Sequence, residues 1–187
     1  MDFMPKIDDY LTRLKCAMDN LDRAEVNNFI NILLEARKNG KTIYVMGNGG
    51  SASTAAHFKC DIEKGTVTAQ SKEKFKIVSL CDNLPTIMAY ANDVSYEDIF
   101  VEQLRNHLNK NDVVIAFSGS GNSKNVIKAI EYANQCGAVT CGVTGYDGGE
   151  LKKTAKYSVN ANVSDMQISE DVHMMLLHLT MQALISG

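Results

Sequence analysis

Two pairs of ionisable side chains in the sequence have the types and spacing of metal-binding or acid–base residues. His57 and Asp61 are four residues apart in a helical segment, so they project from one face of a helix. Glu170 and His178 lie on a later helical segment, two turns apart, or about 12 Å along the axis at ~1.5 Å per residue. A histidine and a carboxylate four residues apart form half of a tetrahedral metal site, and a second pair completes it. A solvated surface pair is the alternative, because such pairs are common on exposed helix faces.

A turn rich in glycine and serine indicates a second kind of chemistry, the binding of phosphate. Residues 118–123 read SGSGNS and directly precede a predicted helix. Hydroxyl donors at a helix N-terminus can hold an anion without a lysine, so Ser118, Ser120 and Ser123 form a candidate phosphate cradle. If Ser123 were only a helix N-cap, the other two serines would be unexplained.

Two further glycine-rich turns follow apolar segments. The turn at 47–51, GNGGS, would let the backbone approach an anion, although it has the spacing of neither the dinucleotide fingerprint nor the P-loop. A tight turn without a ligand is the alternative there. The turn at 144–149, TGYDGG, is by itself no more than a turn.

Short apolar segments that alternate with helical patterns indicate the elements that position these turns. Five of them are predicted strands, of which the last is the weakest: 42–46, 75–80, 113–117, 139–143 and 157–159. The helices predicted between and after them cover 52–64, 87–91, 96–108, 124–136, 150–154 and 169–185. This alternation predicts an α/β fold with a doubly wound, parallel, five-stranded sheet, whose ligands bind beyond the carboxyl ends of the strands.

The first forty residues have the pattern of two amphipathic helices. Asp22 is the predicted N-cap of the second helix, and Glu25 is placed to complete a capping box. Helix pairs of this kind pack against a sheet or against another subunit. We therefore expect a helical pair at 1–40 for packing or oligomerisation and a sheet unit at 41–187, together forming one structural domain.

Composition and charge exclude several classes of protein. The 187 residues carry a formal net charge of −3 and show no basic face, which argues against nucleic-acid binding. The five cysteines are odd in number and contain no C-x-x-C pair, so neither a disulfide framework nor a zinc ribbon is expected. The sequence has no signal-peptide pattern at its start and no apolar stretch of membrane-spanning length. We expect a cytoplasmic protein that does not bind membranes.

Four segments together resemble the SIS (sugar isomerase) domain: GNGGSAS at 47–53, YANDVSYEDIF at 90–100, FSGSGNS at 117–123 and TGYDGGEL at 144–151. They are most similar to its phosphoheptose isomerase branch, whose fold is Rossmann-like. The resemblance implies that the three serines hold a substrate phosphate, that Asn48 and Ser51 lie near the sugar, and that Asp93 lines the site. It also implies a homotetramer with active sites shared between subunits.

The same resemblance implies that His57, Asp61, Glu170 and His178 bind one zinc ion per site. This chain departs from the branch at two of these positions, since Asp61 stands where glutamate is usual and Glu170 where glutamine is usual. Gly119 likewise replaces a hydroxyl residue. Both ligand replacements keep an oxygen donor, but a different sugar phosphate stays open as the substrate.

The activity implied is aldose–ketose isomerisation of a sugar phosphate, with sedoheptulose 7-phosphate as the first candidate. Proton transfer through an enediol needs a base and an acid, which we expect Asp61 and His178 to supply, and a metal would stabilise the oxyanion. Which of the two residues is the base and which is the acid stays open. His173 lies on another side of its helix and is predicted to be a packed or interface histidine.

Two alternatives belong to other functional classes. The first is a non-catalytic SIS module that binds phosphosugars or acts as a protein adaptor. The presence of both histidines and the acidic residue between them argues against it. The second is a sugar-phosphate sensor fused to a DNA-binding helix pair, for which the N-terminal forty residues are too short and not basic enough.

Overall fold

Five strands form one parallel sheet in this computed structural model, which describes residues 1–67 and 73–186. The strands are β1 (Thr42–Gly47), β2 (Lys76–Ser79), β3 (Val113–Ser118), β4 (Val139–Thr144) and β5 (Tyr157–Asn160). Their order across the sheet is β2-β1-β3-β4-β5. The predicted fold class, a doubly wound α/β sheet of five strands, is therefore confirmed.

The order of the strands reverses between β1 and β3, which are neighbours in the sheet although β2 lies between them in sequence. Gly47, the last residue of β1, is in register with Phe117 of β3. In open α/β sheets this switch point leaves a crevice beyond the carboxyl ends of the two strands. The turns GNGGS and SGSGNS thus begin side by side.

Eight α-helices and one 3-10 helix accompany the sheet in the described ranges. They are α1 (Met4–Asp19), α2 (Arg23–Lys38), α3 (Gly50–Gly65), α4 (Leu84–Asp93), the 3-10 helix Tyr96–Asp98, α5 (Val101–His107), α6 (Lys124–Gln135), α7 (Gly149–Thr154) and α8 (Met166–Ser186). None of them is both long enough and apolar enough to cross a membrane.

The continuous helix predicted at 96–108 is wrong, because the chain breaks between the 3-10 helix and α5. Ile99, Phe100 and Val101 are all buried. Three consecutive residues of a straight α-helix point 100° apart and cannot all face one core. The break allows all three to be buried.

Helices cover both faces of the sheet, and each face has its own apolar core. Ile43 and Val45 of β1 lie in a core with residues of α2, α3 and α8. Tyr44 and Met46 point to the other face and lie in a core with residues of α5 and α6. This alternation is the ordinary two-residue period of a strand.

The second N-terminal helix is part of the main core. Its residues Phe29 and Leu33 are buried, and the Phe29 ring lies 6.3 Å from that of Phe58 on α3. Asp22 caps α2 by accepting hydrogen bonds from the amides of Ala24 and Glu25. The Glu25 carboxylate, however, accepts from the Asn160 amide at 3.2 Å, so it ties α2 to β5. The division of the chain at residue 40 stays a prediction.

Candidate active site at the switch point

The serine turn is held in shape by its own hydroxyl groups. Ser118 Oγ accepts a hydrogen bond from the Gly121 amide at 3.2 Å, and Ser120 Oγ accepts one from the Asn122 amide at 3.2 Å. Ser118 Oγ also lies 3.5 Å from Ser123 Oγ. Ser123 occupies the N-cap position of α6, but its side chain makes no capping hydrogen bond. The hydroxyl of Ser123 is therefore not used as a plain helix cap.

The TGYDGG turn supports the serine turn from the side. The Gly119 carbonyl accepts a hydrogen bond from the Gly145 amide at 2.9 Å, and the Gly121 carbonyl accepts one from the Leu151 amide at 2.8 Å. Gly121 has a φ of +66°, and a β-carbon there would lie 2.1 Å from the carbonyl oxygen of Gly148. Only glycine fits this contact without moving backbone.

A cavity of about 320 Å³ opens beyond the ends of β1 and β3. Five of the six predicted substrate residues line it: Asn48, Ser51, Ser118, Ser120 and Ser123. The sixth, Asp93, is not among the lining residues. It ends α4 and accepts a hydrogen bond from the side chain of Asn92.

Asn48 is oriented by two residues that were not among the predicted site residues, Asn125 and Tyr96. Its side-chain amide exchanges two hydrogen bonds of 2.9 Å with that of Asn125, and the Tyr96 hydroxyl donates to its Oδ1 at 2.9 Å. Asn125 is only 2% exposed. The available signal was an asparagine at a position where α6 otherwise buries apolar residues, such as Val126 and Ala129.

Three ionisable side chains meet where α3 packs against α8. His57 Nε2 lies 3.0 Å from Asp61 Oδ2 and 3.3 Å from His178 Nε2, and the distance from His178 Nε2 to Asp61 Oδ2 is 3.7 Å. In a tetrahedral zinc site with bonds of about 2.0–2.1 Å, ligand atoms stand roughly 3.3–3.4 Å apart. The two nitrogens and one oxygen therefore fit a zinc ion in both type and spacing. A cluster of three such residues favours a metal site over the solvated His57–Asp61 pair that the sequence left as the alternative.

Glu170, the fourth predicted ligand, lies outside this three-residue cluster. Its carboxylate lies against Gly50 at the start of α3, where a β-carbon would be only 2.4 Å from Oε1. Glu170 thus lines the serine cavity, two helical turns before His178. Its role as a ligand stays a prediction.

Comparison with known proteins identifies the family. The SIS domain family matches residues 3–145. The phosphoheptose isomerase of Helicobacter pylori strain P12 is 34% identical over 166 residues, which cover 89% of this chain and 85% of that protein. The chain belongs to the phosphoheptose isomerase branch of the SIS domain family.

Two further members of this branch are also similar to the chain. A probable phosphoheptose isomerase of Thermoplasma acidophilum is 32% identical, over 91% of this chain and 92% of that protein. The solved structure of the phosphoheptose isomerase of Neisseria gonorrhoeae has a TM-score of 0.90 with full coverage of both chains and 23% identity. At that identity the structural match supports the fold alone.

Gly119 and Met166 share one space at the wall of the cavity. A β-carbon on Gly119 would lie 2.3 Å from the Met166 Sδ atom. The thioether therefore occupies the volume that a side chain at position 119 would need. The wall beside the serines is apolar here.

His173 is a core residue. It is 1% exposed, its ring lies 6.3 Å from that of Phe117, and neither ring nitrogen makes a well-formed hydrogen bond to the described residues. Burial lowers the pKa of His173, and the Thr144 backbone opposes the shift only in part. His173 was predicted to be either a packed or an interface histidine, and its burial within the chain makes it a packed one.

Proposed function

We propose that the chain is an intramolecular oxidoreductase that interconverts sedoheptulose 7-phosphate and an aldose heptose 7-phosphate through an enediol. The observation that carries this proposal is that α3 and α8 contribute both to the serine cavity and to the cluster of His57, Asp61 and His178. Ser51 in the first turn of α3 lines the serine cavity, and His57 follows it on the same helix, about 9 Å along the axis. An extended seven-carbon chain is of similar length, so a sugar whose phosphate lies among the serines is long enough to span the axial distance to His57.

In this proposal, Asp61 and His178 move the proton between C1 and C2. The Asp61 carboxylate accepts it as base, and His178 acts as the acid partner at the sugar oxygen. Asp61 Oδ2 and His178 Nε2 are 3.7 Å apart, so one substrate can be reached by both residues. While these two atoms hold a metal ion, the second carboxylate oxygen of Asp61 and the Nδ1–H of His178 are the groups left to move a proton. Asn48, held by Asn125 and Tyr96, presents a fixed amide to the sugar. The proposal keeps Asp93 as a substrate-binding residue, although Asp93 does not line the cavity.

The proposed cofactor is one zinc ion per site, held by His57, Asp61, Glu170 and His178. When bound, it would supply Lewis-acid stabilisation of the developing oxyanion. Metal analysis of protein prepared without chelators is expected to give about one ion per chain, as the nitrogen and oxygen donor set predicts.

The proposed partners are the sugar-phosphate substrate and further copies of this chain, in a homotetramer with shared active sites. The proposal places the protein in the cytoplasm, without nucleic-acid or membrane ligands. All five cysteines are free thiols, which persist in reducing compartments.

The test of this function is a substrate panel combined with serine variants. Wild-type protein with zinc is incubated with several ketose phosphates, including sedoheptulose 7-phosphate, and aldose phosphate is measured. The Ser118→Ala, Ser120→Ala, Ser123→Ala triple variant should fold but lose phosphosugar affinity, since hydrogen bonds to a charged group contribute about 1.5–3 kcal/mol each. Ser164→Ala, at an exposed serine outside the cavity, is the control. Unchanged calorimetric binding in the triple variant would place the phosphate elsewhere.

The non-catalytic SIS module remains the alternative function. It predicts that wild-type protein binds phosphosugars and converts none of the panel. The convergence of His57, Asp61 and His178 favours the enzyme, because an adaptor has no need for three facing ionisable groups.

A further inference from the structure

Glu170 brings a negative charge to the cavity that is proposed to receive phosphate. Among the described residues that line this cavity, Glu170 is the only ionisable one, and no lysine, arginine or histidine is present there. Its carboxylate lies on the Gly50 wall, on the same cavity as the three serines. The Glu170 carboxylate can lie there because residue 50 is a glycine and has no β-carbon.

The serines provide hydrogen bonds but no positive charge. A phosphate monoester carries a charge close to −2 at neutral pH, so it would share the cavity with a carboxylate of the same sign. Charges in a partly enclosed cavity are screened less than charges at the surface. The Glu170 charge therefore weakens the phosphate site that the serines and the start of α6 provide, unless a cation opposes it.

We propose that Glu170 makes phosphosugar binding depend on a divalent cation, so that cation and phosphosugar bind to this chain cooperatively. This inference rests on the proposed function, because it assumes that the serine cavity receives the phosphate. Position 170 carries a carboxylate in this chain, and the expected cooperativity follows from the negative charge of Glu170.

The cation that would compensate Glu170 has its candidate site on the same two helices. His57 and Asp61 follow Gly50 and Ser51 on α3, and His178 follows Glu170 on α8. A cation held by these residues opposes the Glu170 charge, whether the carboxylate moves toward it or stays at Gly50. By linkage, a bound phosphosugar must then raise the affinity for the cation by the same factor.

The test measures binding with sorbitol 6-phosphate, a sugar alcohol phosphate that has no carbonyl group and cannot be isomerised. Calorimetry is run on wild-type protein and on Glu170→Gln, each after chelation and again with zinc whose binding is verified by elemental analysis. Glu131→Gln, an exposed glutamate on α6, is the matched control for the change in net charge.

In the chelated state, Glu170→Gln is expected to bind sorbitol 6-phosphate at least tenfold more tightly than wild type, a difference of about 1.4 kcal/mol. Zinc should tighten binding to wild type by a similar factor and to Glu170→Gln by much less. Glu131→Gln should behave as wild type in both states. Circular dichroism confirms that the variants are folded.

Equal affinities of chelated wild type and chelated Glu170→Gln would overturn the inference, as would wild-type binding that zinc does not tighten. If these results occur while the triple serine variant loses binding, the proposed phosphate site stands and only the role of Glu170 fails. If no variant binds sorbitol 6-phosphate with or without zinc, the proposed function and this inference fail together.

Discussion

At the scale of single residues, the Gly119–Met166 contact predicts a coupling between two substitutions. Gly119→Ser should destabilise the protein by about 1 kcal/mol, because the flexible Met166 side chain has to move away from the new β-carbon. Met166→Ala removes that overlap, so Gly119→Ser should cost much less in the Met166→Ala background. Urea unfolding of the four proteins of this double-mutant cycle measures the coupling. Equal costs in both backgrounds would show that Met166 does not fill this space.

The buried His173 predicts a dependence of stability on pH. Because burial lowers the pKa of His173 in the folded protein, the unfolded chain takes up the proton first. The free energy of unfolding should therefore fall as pH decreases below about 6.5, by up to about 1.4 kcal/mol per pH unit for one proton.

His173→Leu keeps an apolar side chain beside Phe117 and removes the titrating group. Its free energy of unfolding should fall less steeply than that of wild type over the same pH range in denaturant titrations. A slope identical to that of wild type would mean that other groups cause the acid sensitivity.

Spacing in the sequence predicted which serines line the cavity, but it did not predict the direction of Glu170. Ser118, Ser120 and Ser123 were predicted from the turn that carries them, and they line one cavity. Glu170 was grouped with His178 by spacing along a helix. That spacing could not reveal that a glycine on another helix leaves room for the Glu170 carboxylate.

Asn125 was missed for a related reason. The direction in which the first turn of α6 faces depends on how that helix packs on the sheet. The near-complete burial of Asn125 and its two hydrogen bonds to Asn48 became visible only in the folded chain.

At the scale of elements, the alternation of apolar segments with helical patterns was enough to predict a parallel sheet. The order of the strands across the sheet was not predicted and is known only from the structure. The strand and helix segments predicted from the sequence differ from the observed bounds mainly at their ends. The last helix was predicted from residue 169 but begins at Met166. Its first turn is stabilised by Asp165, whose Oδ1 accepts a hydrogen bond from the Ile168 amide at 3.1 Å.

Asp165 also fixes α8 to α1. Arg13 donates a hydrogen bond of 2.6 Å to Asp165 Oδ2, and this bond, with that of the Ile168 amide, holds the pKa of the carboxyl below its usual range. Asp165→Ala removes both the cap and the ion pair, whereas Asp165→Asn keeps a side-chain acceptor for the amide.

Thermal unfolding should therefore give the order wild type, Asp165→Asn, Asp165→Ala in decreasing melting temperature. Because α8 carries Met166, Glu170 and His178, the alanine variant should also bind phosphosugars more weakly. If the asparagine and alanine variants melt at the same temperature, the cap does not stabilise α8.

At the scale of the whole molecule, α1 leaves apolar side chains uncovered. Ala17 is its only buried residue, while Ile7 and Leu11 are 48% and 57% exposed. The Tyr10 hydroxyl donates a hydrogen bond of 2.7 Å to Asp171 on α8, which fixes the orientation of α1; this bond raises the pKa of Tyr10 to about 12. A helix held in this orientation presents its apolar side outward, as a subunit interface requires.

The homotetramer proposed above, with α1 in its interface, predicts that light scattering gives four times the mass of the chain at micromolar concentration. Leu11→Glu places a charge on the apolar side of α1 and should yield smaller species. Thr12→Glu adds the same charge about 100° around the helix and should leave the assembly intact. A wild-type monomer, or equal effects of the two substitutions, would contradict assembly through α1.

The central claim, isomerisation with Asp61 as base, is tested most directly by the reaction of sedoheptulose 7-phosphate in D₂O with zinc supplied. A proton held on an ionisable side chain exchanges with solvent, so deuterium should appear at C2 of the aldose product. Asp61→Asn should abolish both turnover and labelling, while sorbitol 6-phosphate still binds at least as tightly as it does to chelated wild type. His178→Ala should reduce the rate by about 10²–10⁴. Wild-type protein that binds sugar phosphates but neither converts nor labels them would contradict the claim, and full turnover by Asp61→Asn would rule out Asp61 as the base.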